Sequence, residues 1–367
     1  MAKSNLFAKS RYFLFKALPQ GYRNRLLRWI VATRFKSPQL VFPWKSAAIK
    51  KILAILPEEP VEAFHQINNY LRISAHFKHA SFVLFCTKEV APYFKQIHPE
   101  AVVIEYDRAV RHLFSSEFDA WGKELGAEEF DFCLMLERSP DISLLYIAGK
   151  TAAPVRAGYC SAGDFPFLNM HINPSPKRPY LTDQNAIMAG VFGAPDRIKI
   201  HWSVSKETVE EVAHLAREAS IAPSARLGLI DVGCFFKTYG ASWTQKLCAA
   251  VTVNKTITWC VVTTDAPDEA LADFIATLGL AVFSNLSAPR CVALLSRSVC
   301  VVSGISVVFE LAHLLHRPLI GLFEQDLLER YCRKSDTTAA VAYAGKPDQN
   351  SIQKIVELTA TYDALEK

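Results

Sequence analysis

Short apolar runs alternate with longer amphipathic stretches from Ile49 to the end of this chain, and this pattern limits its fold more than any other feature. The apolar runs have the length of buried strands, and the stretches between them have the periodicity of helices. This order is typical of parallel βαβ units, in which helices cover both faces of a sheet. The pattern predicts an α/β fold.

The predicted elements form two sets, separated by a short mixed stretch over residues 193–205. Strands are predicted over 51–56, 80–86, 101–106, 130–136, 153–158, 226–232, 256–263, near 282, 299–302 and 319–322. Helices are predicted over 61–77, 88–97, 114–125, 144–148, 182–192, 206–220, 242–253, 268–277, 288–296, 307–315 and 350–364.

A length of 367 residues suits two domains rather than one core. We predict two Rossmann-like, doubly wound parallel-sheet domains over residues 48–195 and 196–345. A C-terminal helix over 346–367 can return to the first domain, and residues 1–47 form a separate arm. Ligands of such sheets bind at the carboxyl ends of the strands, so a central cleft between the domains is the expected site.

The charge of the chain is unevenly distributed. Residues 1–57 contain twelve Lys or Arg and no Asp or Glu, whereas residues 58–367 carry 29 basic and 36 acidic residues. A basic arm that is also rich in Phe, Leu and Trp favours contact with an anionic lipid surface through residues 1–45. Within it, residues 22–35 combine Leu26, Trp29 and Ile30 with four arginines, Arg23, Arg25, Arg28 and Arg34. The alternative is a basic helical hairpin, broken at residues 19–21, that packs on the protein; nucleic acid is the least favoured partner.

The nine cysteines form no CxxC pair, and most lie inside apolar runs. They are interpreted as reduced core thiols of a cytoplasmic protein, and no metal site is predicted. No signal peptide and no apolar stretch of membrane-spanning length is found in the sequence.

Three stretches together resemble one known family. They are VVSGISVVFELAHLLHRPLIGLFE at 301–324, PVRAGY at 154–159, and the crossing that begins at 182–195. In this order they are similar to the heptosyltransferase-like glycosyltransferases of family 9, over roughly residues 48–365. The resemblance implies a GT-B fold and lipopolysaccharide-type glycan synthesis at the cytoplasmic face of the inner membrane.

The resemblance also implies a catalytic base. Family members follow the first strand with Asp-x-x-Gly-Asp, whose first Asp is the proposed base, and this chain has ILAILPEEPVEAF there. Glu58 takes the base position and Glu62 that of the second acid, and a carboxylate of either length can accept a proton. The alternative is that Glu58, Glu59 and Glu62 only begin a helix with favourable dipole charge.

Four residues are implied at the donor side. Gly304 and Ser306 form a Gly-x-Ser turn before a helix N-terminus, which favours a pyrophosphate; alternatively, Ser306 is only the N-cap of that helix. Glu310 stands where the family has a His and is interpreted as an acceptor for a ribose or as a solvent-facing side chain. Lys237, from a predicted loop before Trp243, replaces the phosphate-binding lysine of the family.

The resemblance implies inverting, metal-independent transfer of a sugar from a nucleotide-diphosphate donor to a glycan or glycolipid acceptor, without a cofactor. Because several motif positions are replaced, the alternative is a catalytically inactive GT-B scaffold that binds a ligand or partner at the membrane. The sequence has no GxGxxG run, which disfavours a nicotinamide-dependent oxidoreductase.

Overall fold

The computed structural model describes residues 48–108, 116–159, 167–174 and 180–365. The predicted arm, residues 1–47, lies outside them, as does Cys160. The described residues form two compact units. The first contains 48–58, 74–88, 101–108, 116–159 and 167–174, and the second contains 59–73, 89–100 and 180–365.

The first unit is built on a parallel sheet of six strands in the order β3-β2-β1-β4-β5-β6. In the centre, Leu53 of β1 lies opposite Val83 of β2 and Cys133 of β4, and all three are buried. Continuous apolar runs are expected for strands that are covered on both faces. The strands are β1 Lys51–Ile55, β2 Ser81–Thr87, β3 Val102–Tyr106, β4 Phe132–Met135, β5 Val155–Tyr159 and β6 Met170–Ile172.

The second unit contains a second parallel sheet of six strands, in the order β12-β11-β10-β7-β8-β9. Its order is that of the first sheet, since β7 and β10 are central as β1 and β4 are. The strands are β7 Leu227–Asp231, β8 Thr258–Val262, β9 Ala281–Phe283, β10 Ser298–Ser303, β11 Leu319–Glu324 and β12 Thr338–Tyr343.

Helices, numbered here within the described residues, connect the strands of both sheets. They are α1 Pro60–His76, α2 Ala91–Ile97, α3 Ser116–Ala127, α4 Ile142–Lys150, α5 Leu181–Val191, α6 Lys206–Glu218, α7 Val232–Tyr239, α8 Ala241–Val251, α9 Glu269–Thr277, α10 Ala288–Ser296, α11 Val307–Leu314, α12 Gln325–Tyr331 and α13 Gln349–Leu365. Most of α1 and all of α2 belong to the second unit.

Several side chains explain why α1 and α13 belong to the second unit. In α1, Asn69 accepts a hydrogen bond from the Ala189 amide of α5 at 3.0 Å. In α13, Ile352 and Ile355 are buried in the core of the second sheet, and Asp363 pairs with Arg226. The final helix therefore packs on the second sheet instead of returning to the first unit, and the two units differ from the predicted ranges 48–195 and 196–345.

The predicted fold class, two Rossmann-like parallel sheets with connecting helices, is confirmed. The predicted helices and strands that fall within the described residues are present, with shifts of a few residues at their ends. Four further elements, β6, α7, α12 and β12, were not predicted. Lys237 consequently lies on helix α7 and not in a loop.

Eight cysteines lie within the described residues, and all eight are free thiols. Seven of them are buried, and Cys234 is half-buried. Burial raises the pKa of the Cys133, Cys248, Cys291 and Cys332 thiols to about 12. These side chains act as small apolar groups of the two cores.

Candidate active site

The two sheets have equivalent switch points, where the chain connections change direction. In the first sheet β1 lies between β2 and β4, and in the second sheet β7 lies between β8 and β10. Ligands of open α/β sheets bind outside the carboxyl ends of the strands at such points. The residues that follow β1 and β4, and those that end β7 and β10, are therefore the first candidates for function.

A cluster of polar side chains surrounds Glu58 at the first switch point. The hydroxyl of Tyr106, the last residue of β3, donates to Glu58 Oε1 at 2.9 Å. The Glu58 amide donates to Glu137 Oε2 at 3.4 Å, and the Arg108 guanidinium donates to the Glu58 carbonyl oxygen. Glu137 follows β4 and is buried, and its Oε1 accepts from the Ser139 amide at 3.0 Å. We call Glu58, Tyr106, Arg108 and Glu137 the Glu58 cluster.

In the Glu58 cluster, residues that end or follow three strands, β1, β3 and β4, meet at Glu58. Glu58 is half-buried, Tyr106 is buried, and each comes from a different strand of the sheet. The Tyr106 hydroxyl orients the Glu58 carboxylate, and the contacts of Arg108 and Glu137 hold the Glu58 backbone. A carboxylate oriented in this way is suited to accept a proton from a bound hydroxyl group. Glu62, predicted as the second acid, is half-buried in the first turn of α1 and belongs to the second unit.

A second cluster surrounds Asp231, the last residue of β7. Asp231 Oδ2 accepts from Ser303 Oγ at 2.8 Å and from Ser306 Oγ at 2.5 Å, and Oδ1 accepts from the Cys234 amide at 3.1 Å. The two serine oxygens are 2.9 Å apart. Ser303 ends β10, so the cluster lies at the second switch point. We call Asp231, Ser303, Ser306 and Cys234 the Asp231 cluster.

The Asp231 carboxylate is almost fully buried, with 4% of the residue exposed. Burial raises the pKa of Asp231, and the hydrogen bonds from Ser306, Cys234 and Ser303 and the charge of Lys237 act in the opposite direction. Hydrogen bonds from three donors stabilise the charged form, whereas the low-dielectric surroundings destabilise it.

The donor-side residues predicted from the sequence differ in what they contact. Ser306 is half-buried and is the N-cap of α11, where its hydroxyl accepts from the Phe309 amide at 3.2 Å as it donates to Asp231. Gly304 is buried, and a Cβ there would lie 2.9 Å from Cys234 Sγ, so a larger residue would displace the thiol. Lys237 is exposed on α7.

Glu310 lies on α11 and is 2% exposed, so it does not face solvent. Its Oε1 is 3.2 Å from Nε2 of His65, a buried residue of α1, and neither atom has a hydrogen bond of good geometry. His65 Nδ1 is 2.8 Å from Thr182 Oγ1, and the imidazole packs edge-on against Tyr180. The structure therefore brings Glu310 together with His65 in the interior of the second unit.

Sequence reasoning missed Tyr106, Arg108, Glu137, Asp231 and His65. Four of these residues carry one shared signal, which is a polar group at or just after the end of an apolar strand. His65 carries no such signal, since a histidine in an amphipathic helix is equally compatible with a surface or a core position. Among the described residues, no helix is long and apolar enough to cross the membrane, and no three His, Cys, Asp or Glu side chains are grouped to hold a metal ion.

Comparison with known proteins supports the fold at low sequence identity. The chain matches no protein-family model, and no curated protein sequence matches it. A glycosyl transferase family 9 structure from Veillonella parvula DSM 2008 superposes with a TM-score of 0.71, at 11% identity, over 87% of this chain and 98% of that one.

Two Escherichia coli structures are similar in the same way. ADP-heptose LPS heptosyltransferase II has a TM-score of 0.68 at 16% identity, over 86% of this chain and 99% of that one. Heptosyltransferase WaaC with ADP-2-deoxy-2-fluoro heptose has a TM-score of 0.61 at 11% identity, over 84% and 99%. These likenesses show that the chain has the α/β fold of the heptosyltransferases, in agreement with the resemblance seen in the sequence.

Proposed function

We propose that this chain is an inverting glycosyltransferase that moves a sugar from a nucleotide-diphosphate donor to a lipopolysaccharide-type or other surface glycan acceptor. Glu58 is the proposed base. The observation that carries the proposal is the hydrogen bond from Tyr106 to Glu58, at the first switch point of a fold shared with heptosyltransferases. A glutamate that only began helix α1 would not need donors from β3 and the segment after it to fix its position.

The proposed reaction is a single displacement at the anomeric carbon. Glu58 removes the proton from the acceptor hydroxyl, and the acceptor oxygen bonds to the anomeric carbon. The bond between that carbon and the donor's diphosphate breaks, and its electron pair stays on the leaving diphosphate oxygen. Lys237 is the proposed cation for the leaving diphosphate, and Gly304 and Ser306 are the proposed contacts for hydroxyl groups of the donor. Glu310 is the proposed acceptor for the donor's ribose once His65 has moved, and Glu62 the proposed second acid. No metal or cofactor is proposed.

Nucleotide binding followed by turnover tests this proposal. We would titrate the full chain with ADP, UDP, GDP and CMP by calorimetry, and then assay the sugar nucleotides of the base that binds. Glu58→Gln is expected to lower kcat by about 10²–10⁴-fold with donor affinity unchanged. The matched control is Glu59→Gln, because Glu59 is exposed and adjacent. Full activity of Glu58→Gln would reject the assigned base.

The alternative function is an inactive scaffold that binds a ligand or partner at a membrane surface. Two contacts favour it: the Ser306 hydroxyl is already used by Asp231, and Glu310 lies buried against His65. A folded chain that binds none of the four nucleotides at millimolar concentration would support the scaffold function and reject the transferase function. In either case we propose a cytoplasmic protein that contacts the inner membrane through residues 1–45, with no nucleic-acid partner.

A further inference from the structure

Two helices of the second unit begin at the Asp231 cluster. Asp231 is the N-cap of α7, whose first turn supplies the Cys234 amide, and Ser306 is the N-cap of α11. Each helix has eight residues. The amide groups at a helix N-terminus carry partial positive charge and attract anions. The second switch point thus has the features that bind phosphate in many nucleotide sites.

In this structure the acidic group at these two helix ends is a side chain of the protein itself, Asp231. The Asp231 carboxylate accepts hydrogen bonds from the first turn of α7 and from the N-cap hydroxyl of α11. Ser303 supplies a further hydroxyl donor. Because three donors converge on one buried carboxylate, a side chain that can carry negative charge already lies at the N-terminus of α7 and against the N-cap of α11.

A phosphate group brought to the same helix ends would meet this carboxylate as a like charge. Asp231 is buried, so solvent screens that repulsion less than it would at the surface. A ligand that presents hydroxyl groups there meets no such repulsion. Lys237, whose charge already acts on Asp231, is exposed on the same helix.

We infer that Asp231 is a specificity-determining residue, which excludes phosphate from the N-termini of α7 and α11 and directs the diphosphate of a donor toward Lys237. The inference rests on the proposed function, because it concerns the same donor. It assigns Asp231 a role that neither a purely structural N-cap nor a phosphate-binding loop would have.

Calorimetric titration of the full chain with inorganic pyrophosphate and with ADP tests the inference, and it is done at pH 8, because a carboxyl group with a raised pKa is more ionised there than at lower pH. Asp231→Asn keeps the shape of the side chain and removes its charge, and we expect it to bind both anions about tenfold more tightly than the wild type. Lys237→Gln is expected to weaken ADP binding in the wild type and to have a smaller effect in the Asp231→Asn background. Asp231→Ser, in which serine can still cap α7, is the second variant if the asparagine variant does not fold.

Asp268→Asn is the matched control, since Asp268 is the N-cap of α9 in the same unit but is exposed. We expect it to leave pyrophosphate affinity unchanged. Tighter binding by the folded Asp231 variant alone supports the inference, even where the wild type binds no nucleotide and the proposed donor function fails. A folded Asp231→Asn or Asp231→Ser variant that binds pyrophosphate no more tightly than the wild type overturns the inference. In that case, nucleotide binding by the wild type would still support the proposed function.

Discussion

Tyr106 donates its phenolic hydrogen to Glu58 Oε1 over 2.9 Å, and so joins the carboxyl end of β3 to the segment after β1. The two residues are 48 positions apart in the sequence. The phenol is buried and the carboxylate half-buried, so the pair has one rigid member and one member that a ligand can approach. In a transferase, this relationship would fix the direction from which Glu58 meets an acceptor hydroxyl.

Removing the Tyr106 hydroxyl should reduce turnover more than binding. We expect Tyr106→Phe to lower kcat about tenfold, with KM for the donor unchanged, because the proposed base is then less well oriented. The variant should lose about 1 kcal/mol of unfolding free energy, the usual contribution of one hydrogen bond. Steady-state kinetics and urea unfolding measure the two effects.

Tyr146→Phe is the control for this prediction, as Tyr146 lies on α4 of the same unit, against Phe118. It should leave kcat as it is in the wild type. Equal losses of kcat in the two variants would show that Tyr106 has no orienting role.

The buried pair of His65 and Glu310 should be coupled in stability. Truncating His65 to alanine leaves a cavity and a buried carboxylate without its neighbour, so we expect a loss of about 3 kcal/mol of unfolding free energy. A double-mutant cycle with Glu310→Gln should give a coupling of about 1 kcal/mol or more. Urea unfolding of the four proteins is the measurement.

The pair of His214 and Glu218 on α6 provides the comparison, because both side chains are exposed. Its coupling should be below about 0.5 kcal/mol. A coupling of His65 to Glu310 that is no larger than this would mean that the buried contact contributes nothing specific.

The basic arm should bind vesicles that contain anionic lipid. We expect the full chain to sediment with phosphatidylglycerol vesicles and not with phosphatidylcholine vesicles, and to dissociate in high salt. Replacing Arg23, Arg25, Arg28 and Arg34 with glutamine should weaken binding at least 100-fold, since each basic residue contributes about 1 kcal/mol.

The control is a variant with the same change of net charge, made in the second unit instead of in the arm. It replaces four exposed basic residues of the second unit with glutamine: Lys206, Arg217, Lys246 and Lys255. Equal loss of vesicle binding in both variants would assign the effect to net charge, and not to the arm.

The sequence pattern was sufficient for most of the fold because buried parallel strands are continuous apolar runs. It failed at α7, where Gly233 and three aromatic residues gave a weak helical signal and the capping of the Cys234 amide by Asp231 decided the structure. It failed at β12 because Thr338–Tyr343 is an edge strand in which three of the six residues are alanines, so that it lacks a strong run of large apolar residues.

The candidate site was predicted only in part, because its residues come from distant parts of the sequence. Glu58 was found because it takes the base position of the family motif after the first strand, but Glu137 is 79 residues away from Glu58 and joins it only through the strand order of the sheet. The same holds for Asp231 and Ser303, 72 residues apart. Local sequence spacing cannot show such pairs until the order of the strands is known.

The burial of Asp231 should produce a pH dependence of stability with a defined sign. Burial raises the pKa of Asp231 in the folded chain above the ordinary 3.8 of an aspartate, so between these two pKa values the folded state binds more protons than the unfolded state. The contribution of Asp231 to the unfolding free energy therefore falls as the pH rises through this window, and it is recovered as the pH is lowered toward 3.8. Urea unfolding of the wild type and of Asp231→Asn from pH 4 to pH 8 isolates it, because other groups titrate alike in both proteins. We expect the stability of the wild type relative to the variant to decrease with rising pH, whereas a difference that stays constant or increases would show that the three hydrogen bonds outweigh burial and hold the pKa of Asp231 at or below its ordinary value.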